Sequence, residues 1–295
     1  MQHLRFLDYV DAVARAGSIR AAAEQLHVAA SAVNRRVQDL EEELGEPIFE
    51  RLPRGVRLTT AGELFIAYAR RRSADLEQVR SEIEALRGLR RGHVAIAGSQ
   101  AVVPSFLPRA IVEFQALHPG ITFDVKVHDR DRAVQDVLDF AVDLALVYNP
   151  AGTRGLQVLA QARQRTCAVV APDHPLAREP GVRLKDCLRY PLVLPDPELS
   201  GRSVLDELLD QASHRPAPAL VSDSFELMRA YARRAQAVSF QIEIGAGAET
   251  GCVAVPLEER AIPPGRLVLA ARRGRVLPMA AASFAEFVRA RLAPM

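Results

Sequence analysis

The stretch from Ser18 to Leu40, SIRAAAEQLHVAASAVNRRVQDL, constrains the chain more than any other, because two helical periodicities abut there across a short break. Ile19, Ala22, Ala23 and Leu26 recur at helical spacing, and Ser18 is placed to offer its side-chain oxygen to the first-turn amides. Small alanines on that face let a second helix cross closely. His27 and Val28 break the pattern, after which Val33, Val37, Leu40 and Leu44 lie four, three and four apart on one side of a second helix. The other side carries Ala30, Ser31, Asn34, Arg35 and Gln38, with Arg36 beside them. Short polar groups and arginines on one helix face suit base edges and phosphates in a major groove.

The flanks extend this pair into a domain. Leu4, Phe6, Leu7, Val10 and Val13 form the apolar side of an opening helix, and Gly17 stops it. The acidic run Glu41, Glu42 and Glu43 is expected to face solvent, with Gly45 ending the third helix. Two strand-like pieces, Ile48 to Leu52 and Val56 to Leu58, then surround Pro53, Arg54 and Gly55, whose turn chemistry favours a hairpin. A hairpin after a helix-turn-helix is a wing, and Arg51, Arg54 and Arg57 are its candidates for phosphate or minor-groove contact.

Thr60 followed by Glu63 reads as a capping box at the head of a long helix running to about Leu89. Leu76, Val79, Ile83 and Leu86 alternate by three and four, a short coiled-coil seam. Such a helix is either a dimerisation element or a connector lying on its own chain. Dimerisation has a functional motive, since two recognition helices spaced by a turn of DNA read a two-fold symmetric site. Arg70, Arg71 and Arg72 near its start are either solvated or in contact with the backbone of DNA.

Residues 1 to 70 resemble the DNA-binding domain of a LysR-type transcriptional regulator, on the segment AGSIRAAAEQLHVAASAVNRRVQDLEEELGEPIFERLPRGVRLTTAG. The family's small residues, the leucine before the turn, LEEELG, the Phe-Glu-Arg run and the Leu-Thr-x-x-Gly ending appear there in order. Ala29 and Ala30 stand where members often carry a Ser-Gln pair, and Asn34 replaces a common serine, so the operator sequence does not carry over. The resemblance implies a winged helix-turn-helix over 1–59, a linker and dimerisation helix over 60–91, and a two-lobed α/β effector-binding domain over 92–295. Lobe I is then about 92–161 with 267–295, and lobe II about 162–266. It further implies double-stranded operator DNA, a small-molecule effector, self-association through 60–91 into a homotetramer, and RNA polymerase as partners.

From His93 the residues themselves alternate between short apolar runs and helical stretches, which argues for parallel sheet covered by helices. HVAIAG, ITFDVKVHD and DLALVY read as strands, with helices from about Pro104 to Leu117 and through DRAVQDVLDFA, whose Val134, Val137 and Leu138 point inward. Further helices are expected from Ser203 to Ala212 and from Phe225 to Ala235, with RLVLAAR and Met279 to Leu292 closing the chain. Phe140, Ala235 and Ala237 occupy positions that are commonly glycine in the family, so the local backbone is expected to differ.

Ligands of open α/β sheets lie beyond the carboxyl ends of parallel strands, where helix N-termini offer amides to anions. Those places hold Ser99, Gln100, His128, Tyr148, Asn149, Arg202, Ser203, Ser224 and Phe225. A small anionic metabolite is the expected guest, with Arg202 its anchor. Ser99, Ser203 and Ser224 read equally well as helix caps.

Enzyme chemistry finds no support: Gly-rich phosphate fingerprints, HExxH, Gly-x-Ser-x-Gly and Cys-His pairs are missing. Cys167, Cys187 and Cys252 are odd in number and far apart, which argues against disulfides, zinc and a redox relay. No cofactor or metal is expected. A constitutive or cysteine-redox-sensing regulator is the alternative reading. The net charge of +2 decides nothing, and Lys126 and Lys185 are the only lysines. No apolar run spans a bilayer and the N-terminus lacks a signal-peptide pattern, so no membrane partner and a cytoplasmic location are expected.

Overall fold

A computed structural model describes residues 5–85, 91–103, 105–199, 201–211, 216–246, 251–259 and 264–292, in two compact units, Met1–Arg80 and Ser81–Met295. Leu4, Leu86, Leu89, Pro104 and Ala212 lie outside the described residues.

The first unit runs α1 (Arg5–Ala16), α2 (Ile19–Gln25), α3 (Ala30–Leu44), β1 (Phe49–Leu52), β2 (Gly55–Leu58) and the start of α4 (Thr60–Ala85). Val10 and Val13 of α1, Ala22 and Ala23 of α2, and Val33, Val37 and Leu40 of α3 are buried together with Ile48, Phe49 and Ile66. The alanines of α2 allow that close crossing. His27, at φ 54, makes the turn between α2 and α3 in a left-handed conformation. Leu44 departs from the expected stripe and is 45% exposed, because Gly45 at φ 69 turns the chain away one residue later.

Two other expectations are corrected. Glu41 does not simply face solvent: its Oε1 accepts the Ile48 and Phe49 amides at 2.8 and 3.0 Å, holding the approach to β1 against α3. Only Glu42 and Glu43 of that run are exposed. The cap of α4 is Thr59 rather than Thr60. Thr59 Oγ1 accepts the Gly62 amide at 3.0 Å and donates to the Pro47 carbonyl at 2.6 Å. Thr59 N also donates to the Ile48 carbonyl at 3.0 Å. Gly62 is demanded here, since a Cβ would overlap the Ile48 carbonyl oxygen.

The wing is anchored through main chain. Val56 N donates to the Gly17 carbonyl at 2.8 Å, and a Cβ at Gly55, whose φ is 125, would collide with that same oxygen. Arg70 is not solvated: its Nε meets Asp11 Oδ1 at 2.7 Å and ties α4 to α1. Arg72 pairs with Asp75 at 3.4 Å, and Arg71 is exposed. Along α4 the apolar residues Leu64, Tyr68, Val79 and Ile83 stand out from the helix, Leu64 72% and Ile83 57% exposed.

The second unit contains two five-stranded sheets. One has the order β4 (Ile121–His128), β3 (Gly92–Ser99), β5 (Leu144–Tyr148), β12 (Gly265–Arg272), β6 (Leu156–Gln164). The other has the order β11 (Val253–Pro256), β7 (Thr166–Val170), β10 (Val238–Ile242), β8 (Leu192–Pro195), β9 (Leu220–Ser222). Helices α5 (Phe106–Leu117), α6 (Arg130–Leu138), α7 (Leu184–Cys187), α8 (Arg202–Gln211), α9 (Phe225–Ala235) and α10 (Met279–Leu292) complete the unit.

The sheets are mixed rather than parallel. β3 runs parallel to β4 and β5, and β8 to β9 and β10, but β12 is antiparallel to β5 and β6, and β7 to β10 and β11. The chain leaves the first sheet at the end of β6, enters the second with β7, and returns with β12, so the strands next to the crossings run against their neighbours. In α6 the buried residues are Ala133, Asp136 and Val137, with Val134 and Leu138 half-buried against them.

Phe140 is accommodated where glycine is common by adopting φ 58, and the Arg272 and Arg275 guanidinium carbons lie 4.3 and 5.4 Å from its ring centroid. Between Ala235 and Ala237 the left-handed position falls to Gln236, at φ 48. Replacing Gly62 with alanine is expected to destabilise the first unit by about 1–3 kcal/mol, the usual cost of overpacking against fixed backbone, in urea unfolding followed by circular dichroism.

Candidate nucleic-acid interface and effector cleft

Positions 31, 34, 35 and 38 fall on one side of α3 because three and four residues separate them, and the core stripe claims the opposite side. Ser31, Arg35 and Gln38 are exposed there, as is Ala30 at the start of the helix. Ala29, the N-cap residue, supplies no side-chain hydrogen bond, and its carbonyl accepts the Ala32 and Val33 amides at 3.0 and 3.3 Å. Arg36 sits to one side and pairs with Asp39 at 3.9 Å.

Asn34 and the wing are joined directly. Arg51 Nη2 donates to Asn34 Oδ1 at 3.0 Å, which fixes the amide's orientation and leaves its NH2 outward. Arg57 is engaged by its cross-strand partner Glu50 at 2.6 Å. Arg54, exposed at the tip of the hairpin, extends the basic surface. Ser18 Oγ caps α2 by accepting the Ala21 amide at 3.4 Å, so its oxygen is already in use. The Arg51–Asn34 link escapes sequence reasoning, because nothing local relates residues 17 apart.

In the second unit, Ser99 and His128 end adjacent parallel strands as register partners. Ser99 is buried and its Oγ has no hydrogen-bond partner. His128 Nε2 lies 3.3 Å from Oδ2 of the buried Asp136, whose Oδ1 meets Arg132 Nε at 3.2 Å. Asp136 Oδ2 is buried and makes no hydrogen bond, so His128 and Asp136 meet as a close polar contact at the strand ends. Gln100, half-buried, follows directly.

The remaining expected cleft residues take other parts. Tyr148 is buried, and desolvation by burial raises its pKa above the ordinary value, opposed by the nearby Thr166 and Asn149 side chains. Asn149, at φ 44, clamps β12: its N donates to the Arg266 carbonyl at 2.8 Å and its Oδ1 accepts the Arg266 amide at 2.6 Å. Ser224 is a helix cap, accepting the Leu227 amide at 3.3 Å, and Phe225 is core. Ser203 is exposed within the first turn of α8 and caps nothing.

Arg202, the expected anion anchor, is engaged within its own lobe. Its Nη1 donates to the Pro195 carbonyl and its Nε lies 3.0 Å from Asp206 Oδ2, an ion pair whose geometry is too bent for a good hydrogen bond. Beside an apolar core shared by the two sheets runs a polar seam that sequence reading missed. Gln241 Nε2 donates to the Ala101 carbonyl at 3.3 Å, Ser105 Oγ to the Ile244 carbonyl, and Ile244 N to Gln164 Oε1 at 3.0 Å. The available signal was Gln241, a lone amide in the apolar strand VSFQI. Among the described residues there is no cluster of side chains able to hold a metal ion, and no helix long and apolar enough to cross a membrane.

Known proteins show the same plan. The bacterial regulatory helix-turn-helix of the LysR family matches residues 4–63, and the LysR substrate binding domain matches residues 87–293. Over 301 residues, 99% of this chain and 97% of the relative, the sequence is 32% identical to a RuBisCO operon transcriptional regulator of Allochromatium vinosum. A full-length OxyR variant from Pseudomonas aeruginosa superposes with a TM-score of 0.70 at 22% identity, covering 97% of this chain and 94% of that one. Full-length CbnR in complex with its target DNA gives a TM-score of 0.63 at 23% identity, covering 97% and 99%. With an end-to-end alignment, a matched substrate binding domain and the winged recognition helix in place, this chain belongs to the LysR family of DNA-binding transcriptional regulators, not to the enzymes.

Proposed function

We propose that two copies, paired through α4, read a two-fold symmetric operator, and that a small anionic metabolite at the junction of the two sheets controls them. The observation carrying the DNA reading is the exposed face of α3, where Ser31, Arg35 and Gln38 stand free of the core while Arg51 holds Asn34 in place. Specificity then rests on those side chains and on DNA shape, given the alanines at positions 29 and 30. Pairing is supported by the exposed Leu64, Tyr68, Val79 and Ile83, an apolar stripe that an isolated helix would leave in water. Control by a metabolite is supported by two buried oxygens without hydrogen-bond partners, Ser99 Oγ and Asp136 Oδ2, on either side of His128. A dimer of such dimers would make the homotetramer.

The redox alternative is opposed by burial. Desolvation pushes the Cys167 and Cys187 thiols up to about 12 and raises that of Cys252, so none is a thiolate near neutral pH.

Gel-shift titration against the intergenic DNA beside the protein's own gene and, following the relative's name, against DNA upstream of a RuBisCO operon tests the reading. Binding to at least one fragment in preference to bulk DNA is expected, with affinity falling steeply as salt rises. Arg35→Ala is expected to weaken that binding about tenfold or more with the fold unchanged, and an unaltered affinity would remove Arg35 from the readout. Ile83→Glu is expected to lower the sedimenting mass and the operator affinity together; an unchanged mass would return α4 to a connector role. The thiols supply a pH test. Groups that ionise near 9.0 when unfolded and only near 12 when folded contribute stability fully below pH 9, and that contribution is lost as pH rises from there. The urea midpoint should therefore drop between about pH 8 and about pH 10. Thiol reagents should label the cysteines only after unfolding.

A further inference from the structure

Arg229 is a buried charge that, among the described residues, lacks a counter-charge in contact. It lies on the inner face of α9, one turn beyond Phe225, and is 8% exposed. Its Nη1 donates to Gln241 Oε1 at 3.2 Å, a neutral amide oxygen, and of its five N–H donors this is the single one with a hydrogen-bond acceptor among the described residues. Glu226 acts on it only through space, from an exposed position, and the nearby Cys252 thiol stays neutral. Burial accordingly lowers the guanidinium's hold on its proton.

Other arginines with little exposure are treated differently. Arg202 has Asp206, and Arg275 meets Asp143 at 2.6 Å. An arginine held out of water with only an amide for company is costly, and such a cost persists where the charge serves something that arrives later.

Its position fits that role. β8, β9 and β10 run parallel, so Pro195, Ser222 and Ile242 finish at one end of their sheet, and α9 begins at that end. There the same Gln241 that receives Arg229 donates to the Ala101 carbonyl, in the turn that follows Ser99 at the end of β3. Gly245 keeps the arrangement tight, because a Cβ there would overlap both the Ala101 oxygen and the Gln241 amide nitrogen. The guanidinium is thus two hydrogen bonds from the turn that follows the unpartnered Ser99 hydroxyl.

Building on the metabolite-controlled reading above, we infer that Arg229 is the anchor for the effector's oxyanion, a carboxylate or a phosphate, and that Gln241 positions the guanidinium and relays its engagement to the Ala101 loop. The fork geometry of arginine suits bidentate capture of either group. Arg229 and Ser99 would then hold the ligand from opposite sheets. A ligand making both contacts favours whichever arrangement of the lobes brings them together.

The test uses the full-length chain in thermal unfolding at constant ionic strength, with chloride replaced stepwise by inorganic phosphate in one series and by malonate in the other. The wild type is expected to gain melting temperature saturably with one or both anions, and the responding series names the class. Arg229→Gln should raise the half-saturating concentration about tenfold or more, as loss of a charged hydrogen-bond pair requires, with Arg229→Lys between the two. Without added anion, Arg229→Met should melt no lower than the wild type, since it removes an uncompensated charge. A response that survives unchanged in Arg229→Gln would overturn the anchor while leaving metabolite control standing, and so would a strongly lowered melting temperature of Arg229→Met, the mark of a merely structural tie. No response of the wild type to either anion would likewise overturn it, whereas metabolite control itself fails only if a broad screen of neutral and charged metabolites is also blank.

Discussion

The carboxylate of Glu41 is the joint on which the DNA-reading unit depends. By accepting two consecutive main-chain amides, from Ile48 and Phe49, it fixes where the chain leaves the recognition helix and enters the hairpin. A carboxylate that receives two N–H groups makes a stronger and more directional tie than a neutral acceptor would. Everything beyond it follows in order. The Ile48 carbonyl receives Thr59, Thr59 caps α4, and Gly62 makes room for the close packing. Recognition helix, wing and long helix are tied together by side-chain oxygens of Glu41 and Thr59 bonded to main chain, and the apolar core fills in around them.

Much of this was legible from spacing alone. Val33, Val37 and Leu40 announce the buried side of α3, and with it the outward side that bears Arg35, because a helix has only one period to satisfy. Leu44 follows the same period and is nonetheless exposed, since periodicity does not know where a glycine ends the helix. Glu41 was misread for a related reason. In an acidic run each residue looks alike, and only the returning strand singles one out.

The cleft was harder to read because its polar residues are chosen by contacts across long stretches of chain. Asn149 looks like a ligand contact by position and proves to be a clamp on Arg266, a residue 117 positions away. Arg202 has the right charge and the right place at the head of a helix, yet Asp206 one turn later claims it. Arg229 carries the same charge in a stretch of α9 that also holds Arg233 and Arg234, and nothing in that run marks which one turns inward. Only burial separates them.

The contact between Gly17 and the wing is made by backbone alone, through Val56 N and the Gly17 carbonyl. Side chains at the turn and on the outer faces of the hairpin and recognition helix are therefore free to vary without loosening the frame that aims them. The scaffold behaves as an interchangeable tool-holder. A lineage of such proteins can drift from one DNA sequence to another by exchanging a few exposed residues, each intermediate keeping its stability while its address changes.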